Sequence, residues 1–404
     1  MKKSLVALAI AGLSTAALAQ SNVTIYGTAD VSGQGTSLST HVGQSSVPSG
    51  TTFNLKSNDS NIGFKGTEEL GNGNKALFQY ETYVNVTGDQ AVATNSGNLF
   101  GNMRDSYVGF GSKYGTTLAG YLSTPYRATV NSFDVFPGDR SDSVIENIIG
   151  KQRFGYRSGG ANSTGYIQAD STVRATALAY ATPTFYGVNG SIAYTGSNNN
   201  GQGNQTTNTV GLNTQTTLNL QNALALNLGW SGYGVAVKGA FSQAKVNSTL
   251  QDSTGLLSTN TPFNGYTSYL VGVQYTGIQG LKTGVLYNRN SLGTNAEGGL
   301  GAQKGSNNQV WAGASYRFGN NEPRVSYVST SDTSGIDGIG QDGGTQWNLG
   351  WGYYLSKRTQ VYGMVTQYKN NANAVWSPIQ TGSNMLPTGG QTYTTYGAGL
   401  RTNF

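Results

Sequence analysis

The sequence predicts an all-β fold, a transmembrane antiparallel β-barrel of sixteen strands with short turns at one end and long loops at the other. Three observations predict it: apolar and polar residues alternate over segments of roughly ten residues, the connections alternate between short and long, and the 404 residues include 59 glycines and 25 tyrosines. Tyrosines suit the aromatic girdles of such barrels, and glycines suit a strongly curved sheet.

The alternation is clear in the first segment, where Val23, Ile25 and Val31 share one side and Tyr26 and Asp30 share the other. A period of two indicates a strand, and no helical period fits these windows. The predicted segments begin near residues 22, 61, 75, 103, 116, 173, 188, 223, 233, 266, 281, 308, 323, 345, 358 and 392.

The connections between segments favour a barrel over a sandwich or a propeller. Closure pairs every backbone group within the bilayer, and only the outward half of each strand must be apolar, which explains a mean hydropathy of −0.34. The short turns lie at residues 71–73, 112–115, 183–187, 231–232, 277–280, 319–322 and 356–357.

Composition excludes several classes of function. The chain has no cysteine, one histidine and 10% charged residues, so disulfide frameworks, thiolate chemistry and multi-histidine metal sites are excluded. Its 24 basic residues form no run, so no nucleic-acid partner is expected. We expect neither catalysis nor a cofactor.

The first residues predict export. Lys2 and Lys3 precede an apolar stretch, and residues 17–19 (ALA) form a cleavage site, so residues 1–19 are predicted to be a cleaved signal peptide and residues 20–404 the barrel. No later apolar run approaches the roughly 18 residues of a membrane-spanning helix.

Five stretches carry a resemblance to a known family: residues 23–30 (VTIYGTAD), 61–73 (NIGFKGTEELGNG), 104–110 (RDSYVGF), 353–362 (YYLSKRTQVY) and 399–404 (GLRTNF). They resemble the general diffusion porins of Gram-negative bacteria, in particular the sixteen-stranded trimeric branch common in betaproteobacteria. The resemblance implies an outer-membrane homotrimer that contacts membrane lipid and lipopolysaccharide and forms a water-filled channel for passive diffusion of ions and small hydrophilic solutes. It also implies that terminal Phe404 is an assembly signal. Thr402 stands where the family usually has histidine.

Residues 124–172 resemble the family's third loop, which folds inward as a constriction, at 133–138 (FDVFPG). The loop is longer than expected, because residues 151–165 add a basic and then Gly/Asn/Ser-rich stretch. Whether this addition lies in the pore or over its mouth is left open by the sequence.

Alternation and resemblance together predict the pore lining. Lys65 and Arg174 face inward by parity and Arg104 by its match to the family, forming a basic stripe, with Asp30 and Glu81 inward at a similar height. A charge facing lipid at mid-height would cost about 2–4 kcal/mol. Strict alternation then leaves Asp105 outward. Five further cations are expected nearer the short-turn edge, where a solvated rim and a functional role are both left open: Lys238, Lys282, Arg317, Arg324 and Arg401.

Acids of the third loop are expected to face this stripe and to set up a transverse field, with a modest anion preference overall. They are Asp134, Asp139, Asp142 and Glu146. The alternative is that these acids pair with arginines of the same loop, at positions 127, 140, 153 and 157.

Three alternatives compete with a plain channel: a hydrolase, a calcium site, and a surface adhesin or receptor. A hydrolase would need a histidine, and the one histidine, His41, lies in a Gly/Ser/Thr-rich loop with no nearby carboxylate. A calcium site could involve Asp332, Asp337 and Asp342, but these residues lack the spacing of known calcium loops, which favours a solvated loop. A surface adhesin or receptor barrel acting through its long loops is the alternative function, and ion conductance distinguishes it from a channel.

Overall fold

The computed structural model describes residues 22–39, 50–87, 99–136, 138, 141–157, 164–196, 205–208, 215–248, 263–294, 303–337, 340–378 and 389–404. Within these ranges one α-helix, α1 (Pro125–Phe133), and a 3-10 turn, Ile145–Asn147, accompany 21 strands. The strands are β1 (Asn22–Leu38), β2 (Gly50–Ser57), β3 (Asn61–Gly71), β4 (Asn74–Val84), β5 (Phe100–Met103), β6 (Ser106–Ser112), β7 (Gly115–Ser123), β8 (Lys151–Arg157), β9 (Thr164–Asp170), β10 (Arg174–Ala181), β11 (Val188–Thr195), β12 (Gln205–Asn208), β13 (Gln215–Gly232), β14 (Val235–Ser248), β15 (Phe263–Tyr275), β16 (Leu281–Thr294), β17 (Lys304–Tyr316), β18 (Asn321–Thr330), β19 (Gly344–Tyr354), β20 (Thr359–Asn370) and β21 (Thr392–Asn403).

The barrel is closed by its first and last strands. Nineteen strands form one sheet, and β1 pairs antiparallel with β21 on one side and with β2 and β3 on the other. Three spans are each interrupted once, as β2–β3, β5–β6 and β11–β12, so the nineteen strands make sixteen spans. The structure confirms the predicted fold class, although the second span begins at Gly50 rather than near residue 61.

The two faces of the sheet have opposite chemistry. Apolar side chains such as Leu228 and Leu349 point outward and are 62% and 56% exposed, whereas polar side chains such as Asn288, Gln309 and Gln346 are fully buried inside. This inverted pattern fits a wall with lipid outside and a polar interior. No helix in the described ranges is both long and apolar enough to cross a membrane.

The segment between β7 and β10 folds into the barrel. Thr124 caps helix α1, since its side chain accepts a hydrogen bond from the backbone N–H of Arg127 at 3.2 Å, and Pro125 fits the first turn. At its other end the ring of Phe133 meets Trp311 of the barrel wall edge-on, with ring centroids 6.2 Å apart. Three isoleucines after the helix, at positions 145, 148 and 149, are completely buried.

The added stretch of this segment forms a hairpin. β8 and β9 pair with each other in a separate two-stranded sheet. The base of the hairpin lies against the inner wall, because Asn290 donates to the backbone oxygen of Lys151 at 3.2 Å and Ser171 donates to Ser268 at 2.6 Å.

Candidate pore constriction

The third loop is fixed to one half of the inner wall by polar contacts. The Tyr126 hydroxyl donates to Asn288 Oδ1 at 2.5 Å, and Asn147 donates to the Tyr368 hydroxyl at 2.9 Å. Farther along the loop, the backbone N–H of Gly150 donates to Gln309 Oε1 at 2.9 Å. The loop thus covers the wall formed by β16, β17 and β20.

The opposite half of the wall carries a network of two arginines around one shared acid. Arg104 donates to Asp59 Oδ1 at 3.0 Å and also bonds Glu81, while Arg401 donates to Asp59 Oδ2 and to Asp30 Oδ2, both at 3.0 Å. Each guanidinium therefore bonds two carboxylates, and these charge-assisted hydrogen bonds fix its orientation.

A third arginine extends this network along the wall. Arg174 Nε donates to Asp105 Oδ1 at 2.9 Å, and its Nη1 donates to the Tyr83 hydroxyl at 3.3 Å. The ring of Tyr83 also lies beneath the Arg104 guanidinium, 4.5 Å from the ring centroid. We call Arg104, Arg174 and Arg401 the arginine cluster.

The outward placement of Asp105 predicted by strict alternation is wrong. The strand breaks at Arg104 and Asp105, between β5 and β6, so neighbouring side chains need not point to opposite faces. Asp105 instead points to Arg174 and also accepts the backbone N–H of Ser123 at 2.8 Å.

Lys65 lies beside this network but is not neutralised by it. Its Nζ sits 4.8 Å from the centroid of the Tyr26 ring, and the Tyr26 hydroxyl donates to Glu81 at 2.7 Å. Lys65 is exposed and makes no ion pair with any residue that the structure describes. Lys65 is therefore an inward-facing cation whose charge is not balanced by an ion pair within the described residues.

Two loop acids are buried in ion pairs. Glu146 accepts two hydrogen bonds, of 2.5 and 2.6 Å, from Arg127 of the same loop. This pairing matches the alternative in which the loop acids bind arginines of their own loop. Asp142 pairs with Lys56 on β2, and both side chains are almost fully buried. This second pair joins the loop to the far wall.

Asp134 holds the loop in shape rather than facing the arginine cluster. Its carboxylate accepts the backbone N–H groups of Phe136 and Ile145, both at 2.9 Å. Burial raises the pKa of this carboxyl from 3.8 to about 6, although those hydrogen bonds and nearby Lys282 act in the opposite direction. Asp139 lies outside the described residues.

The loop meets the arginine cluster at Gly138. A Cβ placed there would lie 3.6 Å from Arg401 Nη1 and 3.4 Å from Asp59 Cβ, and the φ of +102° is one that glycine adopts readily. The loop therefore reaches from the β16–β20 wall to the arginine cluster and narrows the interior between them.

Asp59 and Lys56 were not predicted from the sequence. Arg401 lies near the short-turn end as expected, but it bonds Asp30 and Asp59, which favours the functional over the solvated alternative. Asp59 lies in the break between β2 and β3, where no strand parity applies; the polar run at residues 57–60 is the one signal of that break. Lys238 and Lys282 do lie near the short-turn ends of β14 and β16. Their contacts favour a functional role over a solvated rim, since Lys238 donates to Ser132 at 2.9 Å and Lys282 bonds the backbone oxygen of Asp134.

The competing sites gain no support. His41 lies outside the described residues. Asp342 accepts two bonds of 2.7 Å from Thr333, and Asp332 accepts the backbone N–H of Gly343 at 2.8 Å, so both serve the loop itself. The part of the chain that the structure describes holds no cluster of three or more metal-binding side chains.

Comparison with known proteins settles the family. A family model described as Gram-negative porin matches residues 4–373. The chain belongs to the Gram-negative porin family. A major outer membrane protein P.IB of Neisseria gonorrhoeae is 30% identical over 365 residues, covering 89% of this chain and 92% of that protein, and one of Neisseria lactamica is 28% identical, covering 89% and 91%.

Solved porins share the fold. The anion-selective porin from Comamonas acidovorans superposes with a TM-score of 0.66 at 21% identity, covering 95% of this chain and 100% of that one. Outer-membrane expressed OmpT of Vibrio cholerae gives 0.60 at 13% identity, covering 95% and 98%. This porin is an outer-membrane channel for passive diffusion of ions and small hydrophilic solutes, and family and fold imply a channel rather than an enzyme.

Proposed function

We propose that this porin is weakly anion-selective and that its constriction lies between the arginine cluster and the third loop. Most charges of the interior are paired: the arginine cluster with Asp30, Asp59, Glu81 and Asp105, and the loop acids as described above. The observation that carries the proposal is the set of three inward lysines, Lys65, Lys238 and Lys282, none of which forms an ion pair within the described residues.

The sum of these charges explains why the preference is weak. The arginine cluster has three cations against its four carboxylate partners, which leaves one net negative charge. The three lysines bring the sum to two net positive charges. Ionised Asp134 near Lys282 reduces the excess further. A small positive excess attracts anions within a Debye length, about 8 Å at physiological salt.

The test is the zero-current potential of purified protein in planar bilayers under a KCl gradient. We expect an anion-selective potential at 0.1 M salt or below that approaches zero near 1 M. A cation-selective potential at low salt contradicts the proposal, whereas absent conductance contradicts the channel itself and favours the adhesin alternative.

We also propose a homotrimer in contact with membrane lipid and lipopolysaccharide, made as a precursor whose residues 1–19 are removed, and without catalytic activity. A solved OmpT of Vibrio cholerae is described as a trimer form. In this chain the outward positions of β1 include the small residues Gly27, Ala29, Gly33 and Gly35, and the three glycines are covered by the rings of Phe404, Phe53 and Tyr396 from the flanking segments. Light scattering of detergent-purified protein, corrected for bound detergent, distinguishes a trimer from a monomer, and a monomer would contradict this part of the proposal.

A further inference from the structure

The outer face of β14–β17 carries cations and no acid. The sequences of these four strands contain no Asp or Glu. Lys245, Arg289 and Lys304 nevertheless lie on this face, near the long-loop ends of β14, β16 and β17. We call these three residues the outer basic site.

Parity fixes the direction of Arg289. On β16, Val285 and Tyr287 are exposed outward, whereas the alternate residues Leu286, Asn288 and Asn290 are buried inward. Arg289 shares the outward parity and is half-buried. It lies opposite Tyr269, which is itself exposed outward, so the guanidinium sits at the level of an aromatic girdle.

Neutral groups hold Arg289 in place. Its Nη1 donates to Asn308 Oδ1 and its Nη2 to Ser306 Oγ, both at 3.1 Å, and the Tyr287 hydroxyl donates to the same Asn308 oxygen at 2.8 Å. Within the described residues no carboxylate pairs with it. The charge of the guanidinium is therefore not balanced by an acid within the described residues, and its two neutral partners fix its orientation, which suits binding of a phosphate.

The two lysines widen the site toward the long loops. Lys304 pairs with Gly293, four residues beyond Arg289, and Lys245 follows Ala244, which pairs with Tyr266 at nearly the same level. At about 3.3 Å per residue, both lie about 13 Å farther toward the long loops than Arg289, measured along the strands. Both are exposed.

We propose that the outer basic site binds the phosphates of lipopolysaccharide in the outer leaflet. This inference rests on the proposed contact with that lipid, and it assigns the residues and the chemistry. Three cations spread over four strands and about 13 Å along them match a headgroup with several phosphates rather than a single ion. An unpaired charge facing lipid costs least at the interface, and a lipid phosphate there offsets the remaining cost.

The experiment compares the triple variant Lys245→Gln, Arg289→Gln, Lys304→Gln with a control of equal charge change at the short-turn end, Lys75→Gln, Lys113→Gln, Lys357→Gln. Detergent-purified protein is titrated with lipopolysaccharide that is either intact or enzymatically dephosphorylated. We expect wild type and control to bind the intact lipid at least tenfold more tightly than the dephosphorylated one, and the site variant to lose that difference. The single variant Arg289→Gln should lose at least threefold.

Two outcomes overturn the inference: equal binding of both lipids by wild type, or an unchanged preference in the site variant. Displacement of the lipid by 10 mM inorganic phosphate would assign the site to a free ion and would also overturn it. Conductance measured on the same preparations separates this result from the channel function, since the site variant should conduct as wild type does. Heat-modifiable migration confirms that each variant is folded.

Discussion

The ring of Phe404 lies directly over Gly27, and the two residues exchange both backbone hydrogen bonds. The N–H of Gly27 donates to Phe404 at 3.1 Å, and the N–H of Phe404 donates back at 3.0 Å. A Cβ at position 27 would lie 2.4 Å from the backbone oxygen of Asn61 and 2.6 Å from the phenyl ring. The last residue thus completes the closure of the barrel on a position that tolerates no side chain.

Deletion of Phe404, or Phe404→Asp, should block outer-membrane assembly while secretion continues. The ring is 53% exposed on the outer face and its backbone completes the β1–β21 ladder, so the loss affects closure rather than an inner core. Cell fractionation with heat-modifiable migration measures the effect. Tyr233→Asp, in a short turn where the ring is 98% exposed, is the control. Normal amounts of folded protein in the outer membrane would contradict this prediction.

Gly27→Val should lower barrel stability, because the new side chain meets a backbone oxygen as well as the Phe404 ring. Forcing extra atoms into a packed position typically costs about 1–3 kcal/mol. Gly363→Ala is the control, since a Cβ there would have no neighbour closer than 3.8 Å. Thermal denaturation in detergent should show a lower midpoint for the first variant and an unchanged one for the second. Equal midpoints would show that Phe404 moves aside at little cost.

The fold could be predicted from sequence because it depends on periodic properties. Alternation predicts that Lys65 and Arg174 face inward, and the short and long connections predict the number of spans. Both properties hold wherever a strand is regular. The prediction failed at Asp105, where the strand is interrupted and parity no longer determines direction.

The constriction was less predictable because its contacts join distant parts of the chain. The pairing of Asp142 with Lys56 and the sharing of Asp59 by Arg104 and Arg401 depend on how the loop and the barrel ends meet. No local pattern encodes such distances. Glu146 is different, since its partner Arg127 lies in the same loop, and a pairing within the loop is one of the two arrangements that the sequence allows.

A disulfide between Ser143→Cys and Thr366→Cys should form and leave the conductance unchanged. The two hydroxyls are 2.6 Å apart and fully buried, and the chain has no cysteine of its own. If the loop is fixed to β20 as the structure has it, a covalent link adds no constraint to the open pore. Single-channel conductance before and after reduction measures this, with Ser143→Cys alone as control. A marked rise on reduction would indicate a loop that leaves the wall.

Asp134 should make stability depend on pH. Because burial raises its pKa to about 6, the folded protein holds this proton more tightly than the unfolded chain does, so the free energy of unfolding falls as pH rises from about 4 to 6. Asp134→Asn loses one of two acceptor oxygens, which costs about 1 kcal/mol whatever the pH, and it also removes the ionisation, so the variant lacks this pH dependence. Unfolding midpoints between pH 4 and 7 should therefore fall more in wild type than in the variant. Parallel profiles would contradict the assignment.

Replacing Arg104 and Arg174 together by Ser should move the zero-current potential in a KCl gradient toward cation selectivity without abolishing conductance. The reason lies in their pairing: removal of the two guanidinium groups leaves Glu81 and Asp105 without their arginine partners. The loss of two positive charges cancels the excess of two that remains for the arginine cluster and the three lysines, and ionised Asp134 then leaves the interior negative. The shift should shrink at 1 M salt because the Debye length falls to about 3 Å. Lys75→Ser with Lys357→Ser makes the same formal charge change outside the constriction and should move the potential little. An unchanged potential in the Arg104 and Arg174 variant would show that selectivity is set elsewhere, at the pore mouth or by residues of the long loops.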